Sequence, residues 1–414
     1  MIVQVKKTVC ALFLLIFLVL AGCMQDREKK IMIWHSMRPL GTKILQQKLD
    51  EFSKQHPEWE FSQLFYEPET ARTNYIISAM GGSGPAIFWG ASDNMGPFVE
   101  LKVIQPLEPL FSSSFLDSFI TSPIPANTWF QQHLYQIADR IGNHLCLVYN
   151  KAIIQQPPKT IEELRQLGSR FNRSQHGEGK SSRYVLAWNY TEPYFAAPFI
   201  AGYGGSLLDE QNRPTLNTEA TIKAARLIYD LANKDRIIPV ECDYEISNAL
   251  FLDGISAMII NGDWSWGTYI ENGMDIGITR IPKIDETGRW PSPMVSPMGY
   301  SLNVNLNGKK RFVAVELVKY LTSKQVELEF TQAMATIPSR IDAYSDSLIL
   351  NNPIIQSSIY QMEVGTPMPV VTELRWIWDA MRPAYQSIFT GRMTPEQAAS
   401  EMQQLAEKLI AENR

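Results

Sequence analysis

The sequence predicts an α/β protein of two lobes, each a helix-flanked, largely parallel sheet, and three observations lead there. Apolar runs of strand length alternate with segments of helical periodicity, the pattern of a parallel sheet covered by helices. From Cys23 to Arg414 the chain is long enough for two domains of about 100–200 residues each, and its 45% hydrophobic content can fill their cores. No internal repeat or low-complexity linker separates the halves, so the chain is expected to cross between the lobes several times.

The run Ile31-Met32-Ile33-Trp34 reads as a buried strand. Leu45, Leu49 and Phe52 share one face of the helix that follows, which ends before Pro57. Trp59, Phe61 and Phe65 mark a second strand, Ile76 to Met80 a helix, and Ala86-Ile87-Phe88-Trp89 the next strand. Between these last two, Met80-Gly81-Gly82-Ser83-Gly84 lacks the Gly-Lys-Ser/Thr ending of a phosphate-binding loop and precedes a strand, so it reads as a turn. Beyond Tyr149 the alternation resumes with a strand over Tyr184 to Trp188. A long helix after Asn217 carries Ile222, Ala225, Leu227 and Ile228, and Ala257 to Ile260 form another strand. The last third is helical. It closes with Thr394-Pro395-Glu396-Gln397, where threonine caps, proline takes the first turn and glutamine completes a capping box.

Residues 1–22 have the layout of a secretory signal, with Lys6 and Lys7 ahead of an apolar run from Val9 to Leu20. That run is too short for a comfortable membrane span of about 20 residues. Leu20-Ala21-Gly22-Cys23 looks like a bacterial lipobox, so Cys23 is expected to carry lipid, with residues 23–30 as a tether outside the cytoplasm. Removing two lysines with the signal leaves 38 − 2 = 36 basic residues against 43 acidic ones, a charge near −7. That balance argues against a nucleic-acid partner and a polybasic membrane surface. Cys10 leaves with the signal, so only Cys146 and Cys242 remain to pair, and their spacing does not decide whether they do. His35, His56, His133, His144 and His176 show no ligand spacing; neither a metal nor a cofactor is implied.

Five segments in order resemble the maltose-type branch of the extracellular solute-binding proteins, family 1, which feed ABC importers. They are Phe88-Trp89 with Asp93, Gly96 and Val103-Ile104-Gln105-Pro106-Leu107; Val148-Tyr149-Asn150-Lys151; Pro157-Pro158-Lys159-Thr160 with Glu162-Glu163-Leu164; Phe251 to Trp264, ending in Asn261-Gly262-Asp263-Trp264; and Ile337-Pro338-Ser339-Arg340. The resemblance spans nearly the whole mature chain. It implies a two-lobe periplasmic-binding-protein fold with a ligand cleft between lobes that close like a hinged clamp. The implied lobes are 31–142 with 279–320 and 143–278 with 321–414, and Asp275 to Pro282 would be a hinge strand returning the chain to the first lobe. The implied partners are a carbohydrate, the transmembrane subunits of an ABC permease and, through Cys23, the membrane, with the receptor itself a monomer.

Sugar recognition sets aromatic planes against ring C–H faces, and carboxylates and amides against hydroxyls. By resemblance, Trp264 is a stacking tryptophan, and Trp378, counted back from Gly391-Arg392-Met393-Thr394, is another. Thr191-Glu192-Pro193-Tyr194-Phe195 resembles a family loop in which glutamate binds hydroxyls and tyrosine packs on the ligand, which assigns Glu192 and Tyr194. Asp93 matches an aspartate of the first cleft loop, and Trp89 aligns with a cleft tryptophan across a one-residue insertion. Arg382, His35, Arg38, Asn143 and Arg340 fall in the matched segments and complete the candidate ligand-binding set.

Some positions depart from the maltose receptor. Asn94 stands for an arginine, Asn143 falls near a glutamate, Asp263 replaces a frequent proline, and His35-Ser36-Met37-Arg38 lacks an aspartate-lysine pair. Pro85-Ala86 replaces the more usual proline-aspartate. These changes remove charged hydroxyl partners and leave open whether maltose itself is bound; a di- or oligosaccharide, maltodextrin-like or a related α-glucoside, is implied. The alternative is a secreted glycoside hydrolase using Asp93 and Glu192, which needs the two carboxyls at a set separation about the scissile bond. The resemblance favours a receptor, not an enzyme.

Overall fold

The computed structural model describes residues 29–174 and 184–413. The signal, Cys23 and His176 lie outside the described residues.

The first lobe begins as two strand–helix units: β1 (Lys30–His35), α1 (Pro39–Ser53), β2 (Glu60–Phe65), α2 (Pro68–Met80) and β3 (Ile87–Ala91). Proline opens both helices, where its missing N–H leaves no bond unmade. Leu45, Leu49 and Phe52 are buried, as their spacing requires. After β4 (Thr128–Phe130) and β5 (His133–Gly142), only Asn143 and His144 intervene before β6 (Leu145–Asn150). β5 belongs to the first sheet and β6 to the second. This is the first crossing.

The second lobe continues through α3 (Ile161–Ser174), β7 (Tyr184–Ala187), α4 (Pro193–Gly202), α5 (Glu219–Asn233), α6 (Tyr244–Leu252), β8 (Ser256–Gly262), α7 (Asp263–Glu271) and β9 (Ile276–Thr279). The chain then re-enters the first sheet at β10 (Met294–Leu302) and runs through α8 (Gly308–Leu321) and α9 (Lys324–Met334) to β11 (Ile337–Pro338). It crosses a third time past β12 (Thr366–Pro367), and α10 (Thr372–Phe389) and α11 (Pro395–Asn413) pack on α4 and α5. The capping box at α11 is made as expected: Thr394 N–H donates to Gln397 Oε1 at 3.0 Å and Gln397 N–H to Thr394 Oγ1 at 3.3 Å.

Two expectations need correction. The sheets are mixed, with orders β11-β5-β10-β3-β1-β2 and β7-β8-β6-β9. β1 pairs in parallel with β2 and β3, and β7 with β8, because helices cross over between those strands. The strands that carry the chain between lobes, β5, β6, β9 and β10, are not joined to their neighbours as single strand–helix–strand units, and the pairings β5–β10, β3–β10, β6–β8 and β6–β9 are antiparallel. The return to the first lobe also comes later than Asp275 to Pro282: β9 is an edge strand of the second sheet, paired with β6.

Strand alternation joins the cores. Leu145 and Leu147 of β6 enter the second lobe's core, while Cys146 and Val148, on the opposite face, join the cluster of Ile31, Ile33 and Leu45 from the first lobe. Cys146 and Cys242 are buried and unpaired, and burial raises both thiols. Among the described residues, no helix is long and apolar enough to cross a membrane.

A bulge at Met298/Gly299 lets β10 bend over β5. A Cβ on Gly299 would lie 2.1 Å from the Ile137 carbonyl oxygen and 2.6 Å from Ala138 Cα, both backbone atoms of the central β5. Gly299→Ala is therefore expected to lower the unfolding free energy by about 1–3 kcal/mol. Urea denaturation checks this, and an unchanged midpoint would show that β5 gives way freely.

Candidate functional site

Because β1, β2 and β3 are parallel, the turns after them rise on one side of the first sheet, where they meet the second lobe. Between the lobes is a cavity of about 410 Å³, within the usual size of small-molecule sites. The first lobe contributes Met37 and Arg38 after β1, Glu69 and Arg72 at the start of α2, and Asp93 and Asn94 after β3. The facing wall holds Glu192 and Tyr194 at the start of α4, Tyr244 at the start of α6, Trp264 in the first turn of α7, and Trp378 and Arg382 on α10. Trp89, Arg140, Asn143 and Asp263 line it where the lobes meet.

Three aromatic rings form one corner. Tyr194 lies 6.3 Å from both Trp264 and Trp378, at 50° and 75° between planes. Trp264 is half-buried, whereas Trp378 is 6% exposed and packs chiefly in the second core, showing only part of its ring to the cavity. Trp89 belongs to the floor. Its indole N–H donates to Asp139 Oδ2 at 3.0 Å and the Arg140 guanidinium lies over the ring at 5.1 Å.

Charged groups line the rim in an alternating chain. Arg382 holds Glu192 with two bonds, Nε to Oε2 at 2.9 Å and Nη2 to Oε1 at 3.0 Å, a bidentate pair that fixes the carboxylate plane. Arg382 also bonds Asp379 at 3.3 Å, and Asp379 pairs with Arg375 at 2.9 Å. Arg375 reaches across to Glu69 of the first lobe. Glu69 pairs with Arg72 at 3.2 Å, and Arg72 with Asp93 at 3.2 Å. Burial raises the Asp93 carboxyl and the Arg72 charge opposes that rise. Nearby, Arg38 bonds Glu67 at 3.1 Å and lies 4.5 Å over the Tyr244 ring, a second contact across the cleft.

Asn143 sits at the first crossing with φ +41 and every polar group of its peptide engaged. Its N–H donates to Asp263 Oδ2 at 3.3 Å, its carbonyl accepts from the Tyr194 hydroxyl, and its side-chain amide donates to Ser296 Oγ at 2.8 Å. Burial pushes the Asp263 carboxyl up to about 6, against the pull of Arg140 and of the backbone N–H groups of Asn143 and Trp264.

Nine of the eleven expected side chains thus line one cavity: Trp264, Glu192, Tyr194, Trp378, Asp93, Trp89, Arg382, Arg38 and Asn143. His35 and Arg340 do not. His35 shares the buried face of β1 with Ile31 and Ile33, contacts Gln63 Oε1 at 2.5 Å through Nε2 and accepts the Met37 N–H on Nδ1 at 3.1 Å. Arg340 lies beyond β11, where it holds Asp342 at 2.8 and 2.9 Å. Arg72, Glu69, Arg140 and Tyr244 were not anticipated. Only the Glu69–Arg72 spacing at the start of a helix after a strand offered a local cue. Among the described residues no cluster of three His, Cys, Asp or Glu could hold a metal ion.

Two α/β lobes enclosing a cavity lined by aromatic rings and fixed carboxylates define a solute receptor. The chain belongs to the bacterial extracellular solute-binding proteins, whose family model matches residues 47–356. It is 42% identical to the maltose/maltodextrin-binding domain MalE of Bdellovibrio bacteriovorus, solved with maltotriose, with a TM-score of 0.88 over 92% of this chain and all of that one. It is 23% identical to the maltotriose-binding protein of Pyrococcus abyssi over 87% of this chain and 77% of that protein. A galactooligosaccharide-binding protein of Bacillus subtilis is 25% identical over 80% of this chain and 78% of its own length.

The Asp263 carboxyl titrates near 6 in the folded chain and near 3.9 when unfolded. A raised folded value favours folding while the group is protonated. Its contribution is complete below about pH 4 and lost as pH rises through about 6. The stability of Asp263→Asn relative to the parent should therefore rise by up to about 3 kcal/mol between pH 4 and pH 7. Urea unfolding at a series of pH values measures this; a pH-independent difference would show that Asp263 does not titrate in that range.

Proposed function

We propose that this chain is the substrate-binding lipoprotein of an ABC importer, which captures a di- or oligosaccharide of the maltodextrin class and passes it to the permease subunits in the membrane. The observation that carries the reading is the Tyr194–Trp264–Trp378 corner facing carboxylates already held in place by guanidinium groups. Stacking planes suit sugar C–H faces, and fixed carboxylate oxygens accept hydroxyls without first being ordered. The 42% identical relative bound to maltotriose supports the same ligand class.

In this reading the lobes, the first built on the sheet of β1 to β5, β10 and β11 and the second on the sheet of β6 to β9 with α10 and α11, close on the sugar, with α9 lying between α1 of one and α7 of the other. Ligand affinity differs between the open and closed forms, and that difference drives the shift between them. The function involves no bond cleavage. The layout Leu20-Ala21-Gly22-Cys23 supports lipidation of Cys23 after removal of residues 1–22, which would hold a monomeric receptor at the outer side of the membrane that contains its permease.

Intrinsic fluorescence of the chain titrated with maltose, maltotriose, maltotetraose, galactooligosaccharides, monosaccharides and amino acids tests the reading. Maltotriose should change the emission saturably, and Trp264→Ala should weaken that binding at least about tenfold, in line with the loss of one buried aromatic contact. A response to amino acids and none to any carbohydrate would reject the sugar assignment.

A further inference from the structure

We propose that the end of the first lobe opposite the cavity docks on the anionic headgroups of the membrane that holds the protein's own anchor. The inference rests on the lipidation of Cys23. The parallel strands that place the cavity at their C-terminal ends place this face at their N-terminal ends. Lys29 before β1, Trp59 before β2, and the turn Gly82 to Ala86 before β3 enclose a concavity of about 770 Å³ with the segment from Asn303 to Lys310. Lys309 and Lys310 also line it. Val304 N–H donates to the Val103 carbonyl at 3.1 Å, which brings exposed Lys102 to the same end.

Apolar side chains stand among these lysines. Of the fifteen large hydrophobic side chains exposed among the described residues, five are here: Ile77 and Phe312 at 64%, Met80 at 65%, Leu101 and Val304. Asn305 donates to the Ala79 carbonyl at 2.7 Å, which ties the end of α2, with Ile77 and Met80, to the lysine segment. Phe312 follows Lys309 by three positions on α8 and shares its face. Among the described residues the acidic groups at this end are exposed Glu58 and Glu100, and Glu60, which Lys30 neutralises at 2.6 Å.

Lysines around exposed apolar side chains match a headgroup region, where ammonium groups meet anionic lipid and apolar tips enter the acyl boundary. The mature chain as a whole is negative, near −7 once Lys6 and Lys7 leave with the signal, so an anionic bilayer repels most of its surface and favours this end. The tether leads to the same place. Lys29 lies on the face and Cys23 is six positions earlier, so acyl chains there are no more than about 20 Å from it. Docked this way, the cavity is farther from the bilayer by the length of β1, about 20 Å. It faces incoming solute, the second lobe stays free to move, and delivery to the permease requires this face to release the bilayer, so docking describes the receptor awaiting ligand.

The test reconstitutes the mature chain on vesicles of phosphatidylcholine, with or without phosphatidylglycerol, and reads lysine acetylation by mass spectrometry. Lys29, Lys102, Lys309 and Lys310 should react at least about threefold more slowly on the anionic vesicles, and high salt should restore their rates. Lys151, in the second lobe, should not change. In a chain carrying Lys309→Glu and Phe312→Ser, protection of Lys29 and Lys102 should vanish while the sugar response is kept. Equal rates on both vesicles, protection that survives these substitutions, or protection that grows with protein concentration without lipid would overturn the proposal, the last by naming a second copy as the occupant. Intact mass reports the acyl chains separately. If they are absent, a maleimide lipid coupled to the Cys23 thiol supplies the tether, because Cys146 and Cys242 are buried, and the same footprint is read.

Discussion

The site depends on how Asn143 is held. Asn143 is one of the two residues of the first crossing between the lobes, and three groups fix it: the Asp263 carboxylate on its N–H, the Tyr194 hydroxyl on its carbonyl and Ser296 on its side chain. Each such bond contributes on the order of 1 kcal/mol net, and leaving a buried partner unsatisfied costs about 1–3 kcal/mol. Two of the three holders stand beside aromatic contacts of the cavity. Tyr194 is itself one of the three rings, and Asp263 precedes Trp264 on α7. In the proposed closure, a ring that moves to meet a ligand would therefore pull on the backbone at this crossing.

The second constraint is electrostatic. The chain Glu192–Arg382–Asp379–Arg375–Glu69–Arg72–Asp93 crosses from the second lobe to the first with alternating sign. An isolated surface pair is worth about 0–1 kcal/mol. Here each inner member has two partners, and Arg72 and Asp93 are largely shielded from water, at 9% and 16% side-chain exposure, so ordering one pair helps to order the next. The Arg375–Glu69 step joins the two lobes directly, while Glu192 and Asp93, at the chain's two ends, are the acceptors that a sugar would meet in the proposed function.

Much of this was legible because it was local. Helix faces such as Leu45, Leu49 and Phe52, the capping box at Thr394, and the consecutive Glu192-Pro193-Tyr194-Phe195 depend on neighbours in sequence, and all stand where their pattern places them. His35 was misplaced although the cue existed, since period-two alternation puts residues 31, 33 and 35 on one face of β1 and Ile31 and Ile33 are core. Arg340 had no such cue, because its partner Asp342 competes for it only after the turn beyond β11 is built. The antiparallel crossing strands and the Arg375–Glu69 contact were not legible. They follow from where the chain re-enters each sheet, which no window of sequence encodes.

Sugar binding, in the proposed function, is lobe closure about Asn143 and the cross-cleft charge chain. Small-angle X-ray scattering of the chain with and without maltotriose measures it most directly. Closure predicts a radius of gyration that falls when maltotriose saturates the site and returns when the sugar is removed; an unchanged radius in a sample that demonstrably binds maltotriose would contradict it.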